Sequence, residues 1–269
     1  VSYGTLSLNS DGSFTYTHDG SGNNDSFTYK AVDSNGNESG AAIVNLTYTC
    51  SLPVFVEGVW KQICSDIEGD AEGDRAGWSV SMSGDGTIFA TTAPRYDINE
   101  VGGFGTNAGN VRVYQLKSTG WFQMGQDIIG QGWSSVNISD VSLSYDGRTL
   151  AFGEPYTKVN GITNVGSVRV FTFDGTNWNN NGSSIYSVIN PNSENYDDQF
   201  GYSVDLNSDA TILAVACRAC DTNGMTNNGR VSIYQKGPNV DSSWDLIGSP
   251  ISGEGEQDGG NGIFLELDS

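Results

Sequence analysis

Cysteines and clustered carboxylates are the residues of this chain whose types and spacing could support chemistry. The four cysteines form two close pairs, Cys50 with Cys64 and Cys217 with Cys220. A Cys-x-x-Cys pair can hold zinc, exchange electrons or form a structural disulfide. Zinc takes about four ligands, and the chain offers one histidine and no second Cys-x-x-Cys. We therefore expect structural disulfides and an oxidising compartment, with a pairing that the spacing does not fix.

Two oxygen-rich loops are candidates for calcium binding. They are the segments 33–37 and 70–74, and the candidate ligands are Asp33, Asn35, Asn37, Asp70, Glu72 and Asp74. Calcium takes roughly six to eight oxygen ligands, and neither loop has the complete EF-hand spacing. The same carboxylates could instead bond nearby backbone amides in solvated turns. Calcium is the one candidate cofactor, and both interpretations remain open.

A catalytic constellation is not evident in the sequence. The single histidine, His18, is expected in a polar loop without a nucleophile pattern around it. A sialidase would need an arginine cluster and a tyrosine nucleophile, whereas Arg112 and Arg169 lie inside repeated strands. A pair of carboxylates on separate repeats could still hydrolyse a glycan, so a carbohydrate-active enzyme is kept as an alternative. The expectation is a protein that is not an enzyme.

The net charge and the lack of a long apolar run limit the kinds of molecule that the chain is expected to bind. The chain of 269 residues carries 12 basic and 32 acidic residues, a net charge of −20. Such a field repels nucleic acids and anionic membrane surfaces. The sequence also has no apolar run of about 18 residues that could insert in a bilayer. A protein or glycan ligand, or further copies of the chain itself, are the expected partners.

Five Asn-x-Ser/Thr sequons are candidates for N-glycosylation of an exported chain. They begin at Asn24, Asn37, Asn45, Asn137 and Asn181.

A repeat organises most of the sequence. Trp60, Trp121, Trp178 and Trp244 open the same pattern at spacings of 61, 57 and 66 residues. Each is followed by a Ser-Val-type strand, a tight Asp turn, a small-residue strand, a long Gly/Asn loop and a Val-x-Val-Tyr-type strand. Several short strands per period are typical of a β-propeller blade. The predicted blades span 60–120, 121–177, 178–243 and an incomplete 244–269, about 3.5 blades of four antiparallel strands.

These repeats resemble FG-GAP repeats, the blades of integrin-type propellers. The resemblance is carried by 121–130 (WFQMGQDIIG), by Phe200-Gly201, and by Ala93-Pro94 and Gly153-Glu-Pro155 in the place of GAP. Cys217-Arg218 departs from the motif. The family's calcium loop between the first two strands is replaced by short turns such as Ser83-Gly-Asp-Gly86, whose aspartates are expected to form turns.

Residues 1–49 differ from the repeats. Four segments alternate polar and apolar residues around Asp-Gly and Asn-Gly turns, which predicts antiparallel hairpins. Through Gly4-Thr-Leu, 11–16 (DGSFTY), 25–29 (DSFTY) and Asp33, the segment resembles part of a bacterial Ig-like, cadherin-like adhesin domain. Residues 50–59 are predicted to be a linker.

The sequence thus predicts an all-β protein, a partial Ig-like sandwich followed by propeller blades. The resemblances imply an extracellular or cell-surface location and a role in adhesion or structural assembly, as a fragment of a larger chain. A subunit of an extracellular filament, hair or sheath is the first alternative, and the carbohydrate-active propeller enzyme is the second.

Overall fold

The computed structural model describes residues 1–9, 11–18, 24–47, 62–97, 107–131, 138–187, 197–222, 224–238, 243–255 and 267. Cys50, Trp60, Asn137 and the predicted linker 50–59 lie outside these ranges. The chain divides into two compact units, which are Val1–Ile67 with Leu116–Phe122, and Glu68–Gln115 with Gln123–Ser269.

The protein is all-β, as predicted. The strands of the Ig-like region are β1 (Gly4–Leu8), β2 (Phe14–His18), β3 (Asp25–Tyr29) and β4 (Ala42–Leu46). The first repeat sheet holds β5 (Val80–Met82), β6 (Ile88–Ala93), β7 (Asn110–Lys117), β8 (Gly120–Gln123) and β9 (Ile128–Ile129). The second holds β10 (Asp140–Leu143), β11 (Thr149–Glu154), β12 (Ser167–Phe173), β13 (Trp178–Asn180) and β14 (Ile185–Tyr186). The third holds β15 (Phe200–Leu206), β16 (Ile212–Cys217), β17 (Arg230–Lys236), β18 (Trp244–Leu246) and β19 (Ile251–Ser252). The described residues contain no helix, and so none that could cross a membrane.

The Ig-like region consists of two antiparallel hairpins, β1–β2 and β3–β4. The hairpins form where alternation and the Asp-Gly and Asn-Gly turns predict them. Strand β2 extends to His18, which pairs with Gly4. The expectation of a loop at His18 was therefore wrong, because the alternating pattern continues through this residue.

The carboxylate of Asp25 links the two hairpins. Asp25, at the start of β3, accepts hydrogen bonds from the backbone N–H groups of Ser2 and Tyr3 at 2.9 Å, and from the Tyr16 hydroxyl at 2.9 Å. Its own neighbour Ser26 donates a further N–H at 2.8 Å. Burial acts to raise the pKa of Asp25, but these hydrogen bonds outweigh it and hold the pKa well below its usual range.

Each repeat sheet begins with an edge strand that lies beside the edge strands of the neighbouring sheets, and we call β5, β10 and β15 the innermost strands. Two central strands follow, and then an outer strand in two pieces. In the second sheet the order is β10-β11-β12-β13, and β14 pairs with the same edge of β12 as β13 does. The first and third sheets repeat this order. Trp178 begins β13, an outer strand of the second sheet, and Trp244 begins β18, an outer strand of the third sheet. Each tryptophan that opens a sequence repeat therefore belongs to the sheet formed mainly by the repeat before it. The sequence repeat thus starts one strand earlier than the sheet to which most of that repeat contributes.

The two faces of each sheet differ. We call the face with large side chains the near face; in the second sheet it presents Val141, Leu143, Leu150, Phe152 and Phe171. The opposite far face presents smaller residues. In the first sheet these are Ile88, Ala90, Val111 and Val113, and in the second they are Ala151, Val168 and Val170. The near face of the second sheet packs on the far face of the first, and the near face of the third packs on the far face of the second. This succession of small antiparallel sheets is compatible with an open β-propeller.

We predict that Asp25→Asn destabilises the Ig-like region, because one amide oxygen cannot accept all the donors that converge on the carboxylate. The depressed pKa also makes the contribution of Asp25 pH-dependent. It is complete above the pKa of an unfolded aspartate, about 4, and is lost as the pH falls toward the folded-state value. Calorimetric melting from neutral pH to about pH 2 should therefore show the wild-type advantage shrinking in acid.

Asp11→Asn is the control, since Asp11 lies exposed in the β1–β2 turn and bonds only Ser13 among the described residues. An Asp25→Asn variant that melts like the Asp11→Asn variant at neutral pH would contradict this account.

Candidate binding cleft at the strand turns

The innermost strands of neighbouring sheets are joined through side-chain oxygens. In the second and third sheets, two alternate N–H groups of this strand point away from their own sheet and donate to side chains of the preceding sheet. The bonds are Val141 N–H to Ser79 Oγ (3.3 Å), Leu143 N–H to Ser81 Oγ (2.9 Å), Val204 N–H to Asp140 Oδ2 (3.0 Å) and Leu206 N–H to Ser142 Oγ (2.9 Å). Leu267 N–H continues the pattern on Asp205. Asp205 is the position equivalent to Ser81 and Ser142 in the other two sheets.

The turn after each innermost strand is closed by its own polar side chains, as expected. Ser144 Oγ donates to Asp146 Oδ1 at 2.7 Å and accepts the Thr149 N–H at 3.0 Å. Asn207 Oδ1 accepts the Thr211 N–H at 2.9 Å in the third sheet. The aspartates of these turns bond backbone amides two residues ahead, which is the arrangement of an Asx turn.

The turns also bond to one another in a chain. Gly84 N–H donates to the carbonyl of Tyr145 at 2.9 Å, and Tyr145 N–H donates to the carbonyl of Ser208 at 3.0 Å. A Cβ at position 84 would overlap the Tyr145 ring, so glycine permits the ring to lie against the first turn. The backbone of Tyr145 is therefore held by the turns on both sides.

An open cleft of about 630 Å³ lies between the turns of the second and third sheets. Its lining consists of Ser144, Tyr145, Asp146, Thr149, Ser208, Asp209 and Ala210. Tyr145 is 60% exposed. The cleft combines an aromatic ring with hydroxyl groups and two carboxylates, and all of them stand on a backbone fixed by the turns.

The two carboxylates of the cleft each use Oδ1 within their own turn. Asp146 uses Oδ1 for Ser144 and for the Arg148 N–H, and Asp209 uses Oδ1 for Thr211. Among the described residues, Asp146 Oδ2 has no hydrogen-bond partner, and the Asp209 carboxylate also interacts with the Asn207 side chain. The Thr211 hydroxyl bond is the main cause that lowers the pKa of Asp209, which keeps this carboxylate ionised and an acceptor.

Backbones of the second and third sheets approach closely at two glycines. A Cβ at Gly153 would overlap the carbonyl of Gly201, and a Cβ at Gly201 would lie 2.6 Å from the carbonyl of Ser167. Gly201 has φ +85° and lies where the pairing of β15 with β16 shifts register. The glycine of Phe200-Gly201 and the glycine of Gly153-Glu-Pro155 therefore meet at one contact between sheets.

A buried acid follows Gly153. Glu154 is fully buried, its Oε1 accepts the Gln131 N–H at 2.6 Å, and Arg169 Nη1 lies 3.9 Å from the same oxygen. Burial raises the pKa of Glu154, although Arg169 and the hydrogen bonds oppose this effect. The sequence interpretation did not single out Glu154. The sequence signal that could have indicated this buried acid is a charged residue at the end of β11, where the equivalent strands of the other sheets end in Ala93 and Cys217.

The second cysteine pair forms the expected disulfide. Cys217 ends β16 and is bonded to Cys220, with their Cα atoms 5.6 Å apart and both residues buried. Asp198 lies within 4.8 Å of both sulfurs and bonds the Ser187 hydroxyl at 2.5 Å. Burial raises the pKa of Asp198. The disulfide occupies the sulfurs, so this cluster offers no thiolate ligands. Cys64 is also disulfide-bonded.

The candidate calcium ligands take part in turns and ion pairs. Asp33 accepts N–H groups of Asn35 and Asn37 at 2.8 and 2.9 Å. The carboxylate of Asp70 binds Arg112, and Asp74 is buried and accepts the Ala71 N–H at 3.1 Å.

The structure does not group Asp70, Glu72 and Asp74 at ligand distance. Across the described ranges, one group of three acidic, cysteine or histidine side chains has its ligand atoms within 4.8 Å of one another, and it consists of Asp198, Cys217 and Cys220. Calcium binding at either loop stays a prediction.

The sequon asparagines lie in different environments. Asn24, Asn37 and Asn45 are exposed. Asn181 is buried, and its side-chain amide donates to the Thr172 hydroxyl at 2.7 Å. An oligosaccharide needs an accessible amide nitrogen, so Asn181 is a poor acceptor in the folded chain.

Comparison with known protein families finds a match in the N-terminal part of the chain. Residues 1–47 match the family model described as Bacterial Ig domain. This confirms the prediction of a bacterial Ig-like segment. No curated protein matches the chain.

Three solved structures are similar at low identity. A candidate 6-phosphogluconolactonase from Bacteroides uniformis ATCC 8492 is 14% identical with a TM-score of 0.46, over 94% of this chain and 65% of that one. A complex of KlAtg21 with the coiled-coil of AgAtg16 is 13% identical with a TM-score of 0.36, over 65% and 58%. An ancestral GH74 enzyme is 12% identical with a TM-score of 0.28, over 63% and 26%. The chain spans less than two thirds of each of these structures.

We predict that Gly201→Ala lowers the free energy of unfolding by about 2–4 kcal/mol, because a side chain would force the two sheets apart in addition to straining the backbone. Gly161→Ala is the matched control. Gly161 also has positive φ, but a Cβ there would meet no atom within 4 Å. This change should cost about 1–2 kcal/mol. Urea denaturation measures both, and equal losses would contradict a close contact at Gly201.

Proposed function

We propose that the protein is a non-catalytic extracellular binding module that acts in adhesion, and that the cleft between the second and third turns holds a polyhydroxylated ligand of the glycan class. The observation that carries the proposal is the composition of the cleft. One exposed aromatic ring, several hydroxyl groups and two carboxylate oxygens converge on one open surface. The rigid turn backbone supports it, because fixed groups lose little conformational entropy on binding.

Glycans match these groups chemically. The apolar C–H face of a sugar ring packs on an aromatic face, here that of Tyr145. Sugar hydroxyls donate to carboxylate oxygens, here those of Asp146 and Asp209. The cleft is open, as a site for one segment of a long polymer would be. With a net charge of −20 on the chain, neutral glycans are favoured over anionic ones.

The proposal also includes an extracellular location and a repeat family for the three sheets. A bacterial Ig domain is typical of surface or extracellular proteins, and the disulfides agree with an oxidising compartment. We also propose that the three repeat sheets are FG-GAP-like blades. The contact between Gly153 and Gly201 supports this, since it gives a steric reason for both glycine motifs. The adhesin-like, cadherin-like character of residues 1–49 is proposed from the resemblance alone.

The predicted test is binding to a panel of neutral bacterial and plant polysaccharides, followed by calorimetry on any polysaccharide that binds. Tyr145→Ala should weaken binding by about tenfold, equivalent to about 1.4 kcal/mol. A double variant, Asp146→Asn with Asp209→Asn, should weaken it further while the fold is kept. Tyr29→Ala is the control, because Tyr29 is a comparably exposed tyrosine of the Ig-like region.

Two results would contradict the proposal. The first is binding that is unchanged in the Tyr145 and aspartate variants. The second is turnover of a glycan substrate that is lost when Asp146 or Asp209 is changed, which would make the chain a carbohydrate-active enzyme.

A further inference from the structure

The third sheet carries a cysteine pair at a strand end where the first and second sheets have no cysteine. Strand β16 ends at Cys217, whereas the equivalent strands β6 and β11 end in Ala93 and Glu154. Cys217 and Cys220 are 0% and 1% exposed. The pair lies at the end of the β15–β16 hairpin that is opposite to the turn lining the cleft. Its role is therefore separate from that of the cleft.

A carboxylate lies beside the two sulfurs. The Asp198 carbonyl accepts the Ala219 N–H at 3.0 Å, close to the end of β16. In the first sheet the Asp74 carbonyl accepts the Arg95 N–H at 3.2 Å, at the equivalent place. The fold thus sets an aspartate beside this strand end in both sheets, and the third sheet adds the cysteines. A carboxylate oxygen of Asp198 and both sulfurs lie within 4.8 Å of one another.

A hydroxyl and a guanidinium complete the surroundings of this cluster. The Ser187 hydroxyl lies 2.5 Å from the Asp198 carboxylate and 4.0 Å from the Cys220 sulfur. Arg230 donates from Nη2 to the same hydroxyl at 3.3 Å, and its buried Nε has no hydrogen-bond partner among the described residues. A divalent cation bound by two thiolates and one carboxylate carries one net negative charge, which one arginine balances. The charges around the cysteines therefore suit such a cation once the cysteines are reduced.

We propose that reduction of the Cys217–Cys220 disulfide converts this cluster into a Zn²⁺ site, whose protein ligands are the two thiolates and the Asp198 carboxylate. Thiolates and carboxylates are ligands that zinc takes, and a water or the Ser187 hydroxyl fills the fourth position. Zinc–sulfur bonds of about 2.3 Å place two sulfurs of a tetrahedral site about 3.8 Å apart. The Cα atoms of the pair are 5.6 Å apart, which is close enough for both cysteines to bind one ion.

The conversion consists of two steps. A dithiol reductant breaks the S–S bond, which leaves two thiols on the protein and oxidises the reductant to its own disulfide. Zn²⁺ then displaces one proton from each thiol as two Zn–S bonds form. The disulfide and the metal site exclude one another, so zinc occupancy depends on the redox state of the surroundings.

Cobalt binding to the reduced chain tests the proposal, because Co²⁺–thiolate bonds give a charge-transfer absorption. The full chain with Cys50→Ser and Cys64→Ser keeps only the second cysteine pair. It is reduced with excess dithiothreitol, freed of the reductant under nitrogen, and titrated with Co²⁺ and then with Zn²⁺. The reduced chain should bind one Co²⁺ with the absorption of two thiolates in a tetrahedral site, and Zn²⁺ should displace it. The oxidised chain should show no such absorption.

Variants of the reduced chain distinguish the ligands. Cys217→Ser should abolish the two-thiolate absorption. Asp198→Asn should weaken Co²⁺ binding by more than about tenfold, since even outer-shell partners of a metal contribute about 10- to 100-fold. Asp197→Asn is the matched control, because it removes an equal charge from an exposed neighbouring residue and should leave the affinity unchanged.

Circular dichroism shows whether each reduced chain stays folded. The proposal is overturned by a disulfide that resists the reductant, by a chain that unfolds on reduction, or by a reduced, folded chain that binds no Co²⁺ through thiolates. Equal affinities of the Asp198→Asn and Asp197→Asn variants would remove Asp198 from the site. Glycan binding is measured on the oxidised chain, so failure of one proposal does not decide the other.

Discussion

An innermost strand has a paired edge and an open edge, and the N–H groups at its open edge need acceptors. In this protein the acceptors are side-chain oxygens of the preceding sheet, chiefly serine hydroxyls and the Asp140 carboxylate. This requirement couples the sheets more specifically than apolar packing does, since it fixes their register to one residue. Asp140 shows the coupling best, because it accepts from Ser79 on one side and from Ser203 and Val204 on the other.

The position of the cleft follows from that register. Once the innermost strands are aligned, the turns that follow them are also aligned, and the carbonyl of each turn meets the N–H of the turn before it. Tyr145 is held between two such bonds, and Asp146 and Asp209 are oriented by their own Asx turns. The surface chemistry of the cleft is therefore a consequence of how the sheets stack. Gly153 and Gly201 also help the second and third sheets to stack, because the lack of side chains permits their backbones to approach closely.

Much of this fold could be predicted from period and alternation. The tryptophan repeat indicated several short strands per unit, and the Asp-Gly turns were placed correctly. The phase between repeat and sheet could not be predicted, because Trp178 and Trp244 mark an outer strand that pairs backwards in the sequence. The roles of Asp25 and Glu154 were also outside sequence reasoning. Both depend on donors that lie more than 20 residues away, at Ser2 and Gln131. For the cleft, the sequence indicated turn-forming aspartates and did not indicate that Tyr145 would stand between them.

Residue-resolved hydrogen exchange measures the central claim most directly. The claim is that the Ser81 hydroxyl protects the Leu143 N–H across the boundary between two sheets. In a Ser81→Ala variant, the account predicts that exchange at Leu143 accelerates by roughly two- to tenfold, the range expected for one net hydrogen bond, while Leu206 keeps its protection. Unchanged protection of Leu143 in that variant would contradict the account, since the coupling between sheets would then rest on packing alone.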